Sequence, residues 1–105
     1  MTFFIRSHAR ADILRQYEYY LIEKDAEAAA VRFVAAVQAA VKQVCNQPGI
    51  GTPKALANRR LAGLRSWPVK GFPEMRIYYI AGVDAVRVIR VLHGRRDIDP
   101  LLEAE

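Results

Sequence analysis

The apolar positions change period twice along the chain. Residues 2–6, "TFFIR", form a short run rich in aromatic and β-branched side chains, which predicts a strand. From Ser7 to Glu23 the residues Ile13, Leu14, Tyr17, Tyr20 and Leu21 recur at helical spacing, with Ser7 available as an N-cap. Asp12, Arg15, Gln16, Glu18 and Glu23 fall mainly on the other side, so the pattern predicts one packed face and one wet face. Asp25 can cap a second helix, and Glu27 in its first turn complements the dipole. The apolar row Ala30, Phe33, Val34, Val37, Val41 and Val44 continues until "NQPG" stops it at residues 46–49. Only a few residues join the two helices, which favours an antiparallel helical hairpin.

Residues 47–60, "QPGIGTPKALANRR", have the composition of a loop. Three strand candidates follow: "GLRSWPV", "EMRIYYIA" and "AVRVIRVLH". The last two are separated by Gly82, Val83 and Asp84, a spacing suited to a tight hairpin. Strict alternation places Val86, Val88, Arg90 and Leu92 on one face of the final strand and Arg87, Ile89, Val91 and His93 on the other. Both faces carry apolar residues, so this strand is expected at the centre of the sheet. Asp99 and Pro100 provide an N-cap and first-turn pair for a short tail helix, "PLLEAE". The order of strand, helical hairpin and then a three-stranded, mostly antiparallel sheet defines an α+β domain with the hairpin on one sheet face.

At 105 residues the chain is sized for one domain with one core, spanning residues 1–105. Lys and Arg exceed Asp and Glu by 16 to 11, and the distribution sharpens the point. No acid occurs from Ala28 to Pro73, while Arg32, Lys42, Lys54, Arg59, Arg60, Arg65 and Lys70 lie within that stretch. A segment that cannot neutralise itself suits an anionic partner, whether nucleic acid, acidic protein or surface. A single cysteine, Cys45, excludes an internal disulfide and, from its place in the apolar row, is expected in the core. The opening "MTFFIRSHAR" lacks a secretory pattern, and no apolar run is expected to reach the roughly 18–20 residues that span a bilayer, so the expected location is the cytoplasm.

Common catalytic motifs are missing. "PGIGTPK" follows a helix and lacks the spacing of a phosphate loop, and His8 and His93 are too far apart in sequence to suggest a metal pair, so no metal or cofactor is expected. What remains is the stretch "VIRVLHGRRDIDP" at residues 88–100, together with Arg65 and Trp67. Metal-free RNA cleavage needs a base for the 2′-hydroxyl, a donor for the leaving oxygen and cations for the developing phosphorane. His93, Arg90 and Arg65 could fill those roles. The same residues, with Trp67, Arg95 and Arg96, could equally form a docking surface or a solvated strand end.

Taken in order, "ARADILRQYEYYLIE", "RFVAAVQAAVKQVCNQPGIGTP", "LAGLRSWPV", "RIYYI" and "VIRVLHGRRDI" resemble the ParE family of bacterial type II toxins, within the RelE/ParE superfamily, over residues 3–99. The resemblance implies a helical hairpin against an antiparallel sheet, a ParD-type antitoxin that wraps the toxin, and DNA gyrase as target. It further implies an inhibitor without catalytic residues of its own. A basic surface with aromatic patches suits an acidic segment that folds as it binds, and Tyr17, Tyr20, Leu21, Phe33 and Trp67 are the candidate anchors.

The superfamily also contains RelE-like ribosome-dependent messenger RNA endonucleases, marked by several basic residues and a C-terminal catalytic tyrosine or histidine. Here no Tyr follows Tyr79 and no Lys follows Lys70, and the tail is acidic and apolar. That departure favours the inhibitor, with His93 as the nuclease candidate left standing. A degenerate member that only binds its antitoxin is a third reading.

Overall fold

A computed structural model of the chain describes residues 1–95 and 97–105. Arg96, one of the docking candidates, lies outside the described residues. Strand β1 (Thr2–Ile5) leads into helix α1 (Ser7–Glu18), a π-helical turn at Tyr19–Glu23, and helix α2 (Glu27–Asn46). Strands β2 (Thr52–Pro53), β3 (Arg65–Val69), β4 (Phe72–Ala81) and β5 (Ala85–His93) follow, and helix α3 (Asp99–Glu103) ends the chain.

The sheet has five strands in the order β1-β5-β4-β3-β2, two more than the three-stranded meander expected. β1 joins β5 in parallel register, from Thr2 opposite Ala85 to Ile5 opposite Val88, while the other pairings are antiparallel. The parallel pair is possible because the whole helical hairpin and meander lie between its members, and parallel strands need such a long crossover. The extra edge strand β2 is a Thr-Pro dipeptide, too short to show a period and placed where proline is tolerated. β5 is central, as its two apolar faces predict.

The buried stripe of α2, which includes Phe33, Val37, Val41 and Val44, packs with Ala9 of α1 on Ile77, Tyr79, Val86, Val88 and Val91 of the sheet. By length and composition alone α2 could cross a membrane, contrary to the sequence reading, but this stripe is occupied by the sheet. Cys45 ends that stripe, and burial pushes its thiol above the ordinary range. The opposite sheet face is not bare: Tyr78 and Ile89 carry a second core with Leu61, Leu64, Ile98 and Leu102, so the tail covers it.

Two local expectations fail for instructive reasons. β5 contains a bulge: Tyr78 pairs with Arg90 and Tyr79 with Val88, leaving Ile89 as the extra residue. The phase of alternation therefore slips, and Val91 joins Val86 and Val88 in one core, where strict alternation had separated them. The expected caps also shift by a position. Ser7, Asp25 and Asp99 do not cap: Arg6, Ala26 and Ile98 hold the cap positions without side-chain cap bonds. Backbone bonds such as Arg6 N–H to the Val88 carbonyl at 3.0 Å, and the ion pair of Asp99 with Lys54, use these segments differently.

Candidate functional site

β1 ends at Ile5, so beyond Val88 the edge of β5 has no strand beside it. The first turns of α1 cover that edge, and Asp12 turns inward there, 4% exposed, where the helical pattern had placed it on the wet face. Its Oδ2 accepts the Val91 N–H at 3.0 Å, replacing the missing strand partner. Arg90 meets the same carboxylate with two nitrogens, Nε to Oδ2 at 2.7 Å and Nη2 to Oδ1 at 2.9 Å. Its third nitrogen, Nη1, donates to Glu105 Oε1 at 3.0 Å. The hydrogen bond to Asp12 raises the Arg90 pKa above its ordinary value and outweighs the opposing effect of burial.

The remaining candidates divide among separate neighbourhoods. Arg65 donates from Nη1 to the carbonyls of Gly51 at 2.8 Å and Gly49 at 3.3 Å, tying down the turn after α2. Trp67 packs against the main core and donates from Nε1 to Gln43 Oε1 at 3.0 Å. His93 leaves the end of β5 and places Nε2 2.7 Å from Glu74 Oε2, while the Arg95 N–H donates to Nδ1 at 3.4 Å. A neutral ring that meets both contacts carries its proton on Nε2. Arg95 pairs with the other oxygen of Glu74 at 3.2 Å and is 79% exposed.

Of the proposed nuclease trio, the structure therefore engages Arg90 and Arg65 in internal bonds and leaves His93 near the surface. His93 lines a groove of about 730 Å³ between the end of α1 and the strands β4 and β5, with Asp12, Arg15, Tyr19, Tyr20, Lys24 and Glu74 among its walls. The aromatic packing beneath it joins Tyr20, Phe33 and Phe72, with ring centroids 5.3–5.7 Å apart. Phe33 is fully buried and cannot be an exposed anchor, whereas Tyr17, Tyr20, Leu21 and Trp67 are half-buried. Sequence reasoning passed over Asp12 and Glu105, the carboxylates that fix Arg90, and Glu74, which pairs with His93 and Arg95. For Asp12 the one legible signal was its place three residues after Ala9, on the side that turns inward.

A helical hairpin on a five-stranded mixed sheet, with an excess of basic residues and an open aromatic-floored groove, defines a small α+β protein. The chain belongs to the ParE toxin family, the toxins of parDE type II toxin-antitoxin systems, whose family model matches residues 4–98. Among solved structures it is similar to one described as "Chromosomal ParDE TA system from P. aeruginosa", with a TM-score of 0.66 and 16% identity over 89% of this chain and 95% of that one. It is also similar to "YoeB/ParE toxin from Agrobacterium tumefaciens", with a TM-score of 0.53 and 19% identity over 89% of this chain and 98% of that one. These likenesses show the fold. No curated protein sequence matches the chain significantly.

Proposed function

We propose that the chain arrests growth by inhibiting DNA gyrase, without a catalytic centre of its own, and is neutralised by a ParD-type antitoxin. The observation that carries this reading is the engagement of Arg90, whose guanidinium nitrogens are taken up by Asp12 and Glu105. Two of its nitrogens are held by the buried Asp12 carboxylate, whose charge offsets its own, so Arg90 is poorly placed to stabilise a phosphorane whether or not Glu105 is bound. Arg65 is likewise committed to backbone carbonyls. Membership of the ParE family supports the choice of target class.

The groove suits the antitoxin. Arg15 and Lys24 on its walls attract an acidic segment, and Tyr20 and Phe72 offer apolar surface to one that orders as it binds. Tyr17, Leu21 and Trp67 would extend that contact outside the groove, and Arg95 and Arg96 are the cations proposed to meet the target.

A RelE-like, ribosome-dependent messenger RNA endonuclease is the second reading, favoured by the His93–Glu74 pair at the groove, since a carboxylate orienting an imidazole is an arrangement that can move a proton. The two readings separate when purified toxin, free of antitoxin, is assayed for gyrase-dependent DNA cleavage and for ribosome-dependent mRNA cleavage. Stalled gyrase with intact mRNA is the expected result. Codon-positioned mRNA cuts without an effect on gyrase would overturn the proposal.

A further inference from the structure

Glu105 is held as a bound ligand would be. Its carboxylate accepts from Arg90 Nη1 at 3.0 Å, and His8 Nδ1 lies 2.8 Å from each of its oxygens. The receiving groups come from β5 and the first turn of α1; Arg90 is placed without Glu105, whereas the His8 ring, 64% exposed, bonds to Glu105 alone among the described residues. Arg90 is fixed by its two contacts with Asp12, and its side chain is 12% exposed. A planar guanidinium with two nitrogens engaged presents the third in a fixed direction, the geometry that receives a carboxylate or phosphate oxygen. Arg15 lies on the same flank of α1, beside Asp12, and exposed Arg59 and Arg60 follow Asn58, which binds the tail.

The tail that delivers Glu105 is fastened by polar ties and by two buried apolar side chains. α3 has five residues, too few to persist as an isolated helix. Asn58 donates from Nδ2 to the carbonyls of Leu102, Glu103 and Glu105 at 3.4, 3.2 and 3.1 Å, and Lys54 meets Asp99 at 2.9 Å. Most of these ties lie at or near the surface, where water competes for each partner and salt weakens the ion pair. Leu102 and Ile98 supply the apolar hold.

We propose that Arg90 and His8 form an oxyanion seat and that the tail is its removable plug. When the tail lifts, the seat takes a carboxylate or phosphate oxygen presented by another molecule. This site is distinct from the aromatic groove, and its existence does not depend on gyrase being the target.

The test uses the full chain carrying Glu105→Ala, with the double variant His8→Ala/Glu105→Ala as the weakened seat. Inorganic phosphate and acetate are titrated against chloride at matched ionic strength, and melting temperature is followed. The Glu105→Ala chain is expected to gain roughly 4 °C at saturation, since a ligand that binds only the folded state stabilises it, and the double variant less. A response to phosphate alone assigns a phosphate ligand, and one to acetate alone assigns a carboxylate. In the unsubstituted chain the successful anion is expected to speed hydrogen exchange at the Ala104 and Glu105 amides, which bond the carbonyls of Pro100 and Leu102. A response no larger than that to chloride, or an equal one in the double variant, overturns the seat; unchanged tail exchange overturns the plug. If Glu105→Ala does not fold, Glu105→Gln is read in the same way.

Discussion

Asp12 and Arg90, 78 positions apart in sequence, meet with two hydrogen bonds of 2.7 and 2.9 Å, and this pair closes the open edge of the central strand. Asp12 also holds the Val91 amide, so one carboxylate serves a backbone donor and a guanidinium together. Removing it leaves the Val91 amide unpaired and Arg90 with Glu105 as its one remaining carboxylate. Asp12→Ala is expected to lower unfolding free energy by about 3 kcal/mol, the usual scale for breaking a buried ion pair by deleting one side. Urea denaturation measures this, and a loss below about 1 kcal/mol would show that the edge is held by packing instead.

Tyr79 makes a second long-range closure. Its hydroxyl donates to the Pro48 carbonyl at 2.8 Å and accepts the Gly51 N–H at 2.9 Å, pinning the turn after α2 to the sheet. Tyr79→Phe strands a buried donor and acceptor and is expected to cost about 1–3 kcal/mol. Gly51→Ala is expected to destabilise as well, because a β-carbon there would sit 2.5 Å from the Tyr79 hydroxyl and 2.8 Å from the Ser66 carbonyl oxygen. Thermal melts of the two variants check both statements, and a neutral Gly51→Ala would mean that the turn yields.

Alkali should unfold the protein through the same phenols. Burial raises the pKa of Tyr78 and of Tyr79 above the ordinary 10.0, because the interior penalises phenolate. A group whose pKa rises on folding stabilises the fold fully below its unfolded value, and that contribution is lost as pH climbs through the folded value. Denaturation midpoints measured from pH 8 upward should therefore fall above about pH 10, and the double variant Tyr78→Phe/Tyr79→Phe should fall less steeply over that range.

Toxicity should separate two neighbouring groups at the end of β5. As an inhibitor, the chain is expected to keep growth arrest in His93→Ala, because the His93 ring bonds at the surface to Glu74 and the Arg95 amide. Exchanging the cations by Arg95→Glu and Arg96→Glu is expected to abolish arrest while leaving antitoxin binding intact, since steering charges set encounter with the target. Growth curves with induced toxin and a pull-down of the antitoxin read both arms. Arrest lost in His93→Ala, with the protein still folded, would move the balance to the nuclease.

The sequence by itself determined the elements whose cause is local. The period of 3.6 through Ala30, Phe33, Val37, Val41 and Val44 dictated α2 and the face it buries, and "NQPG" dictated where it stops. Apolar residues on both sides of "AVRVIRVLH" dictated a central strand. The family was legible too, because its short motifs keep their order over nearly the whole chain. Tertiary structure alone decided the parallel seat of β1, the bulge at Ile89 and the partners of the candidate side chains among the described residues. Asp12 read as a solvated acid because periodicity reports which side of a helix is apolar and is silent on a polar partner 78 positions away. Arg90 and Arg65 read as free cations for the same reason: a charge in a sequence carries no sign of what will neutralise it. Only when the chain closes do carboxylates and carbonyls arrive within hydrogen-bonding distance, and desolvation then requires that the buried ones be paired.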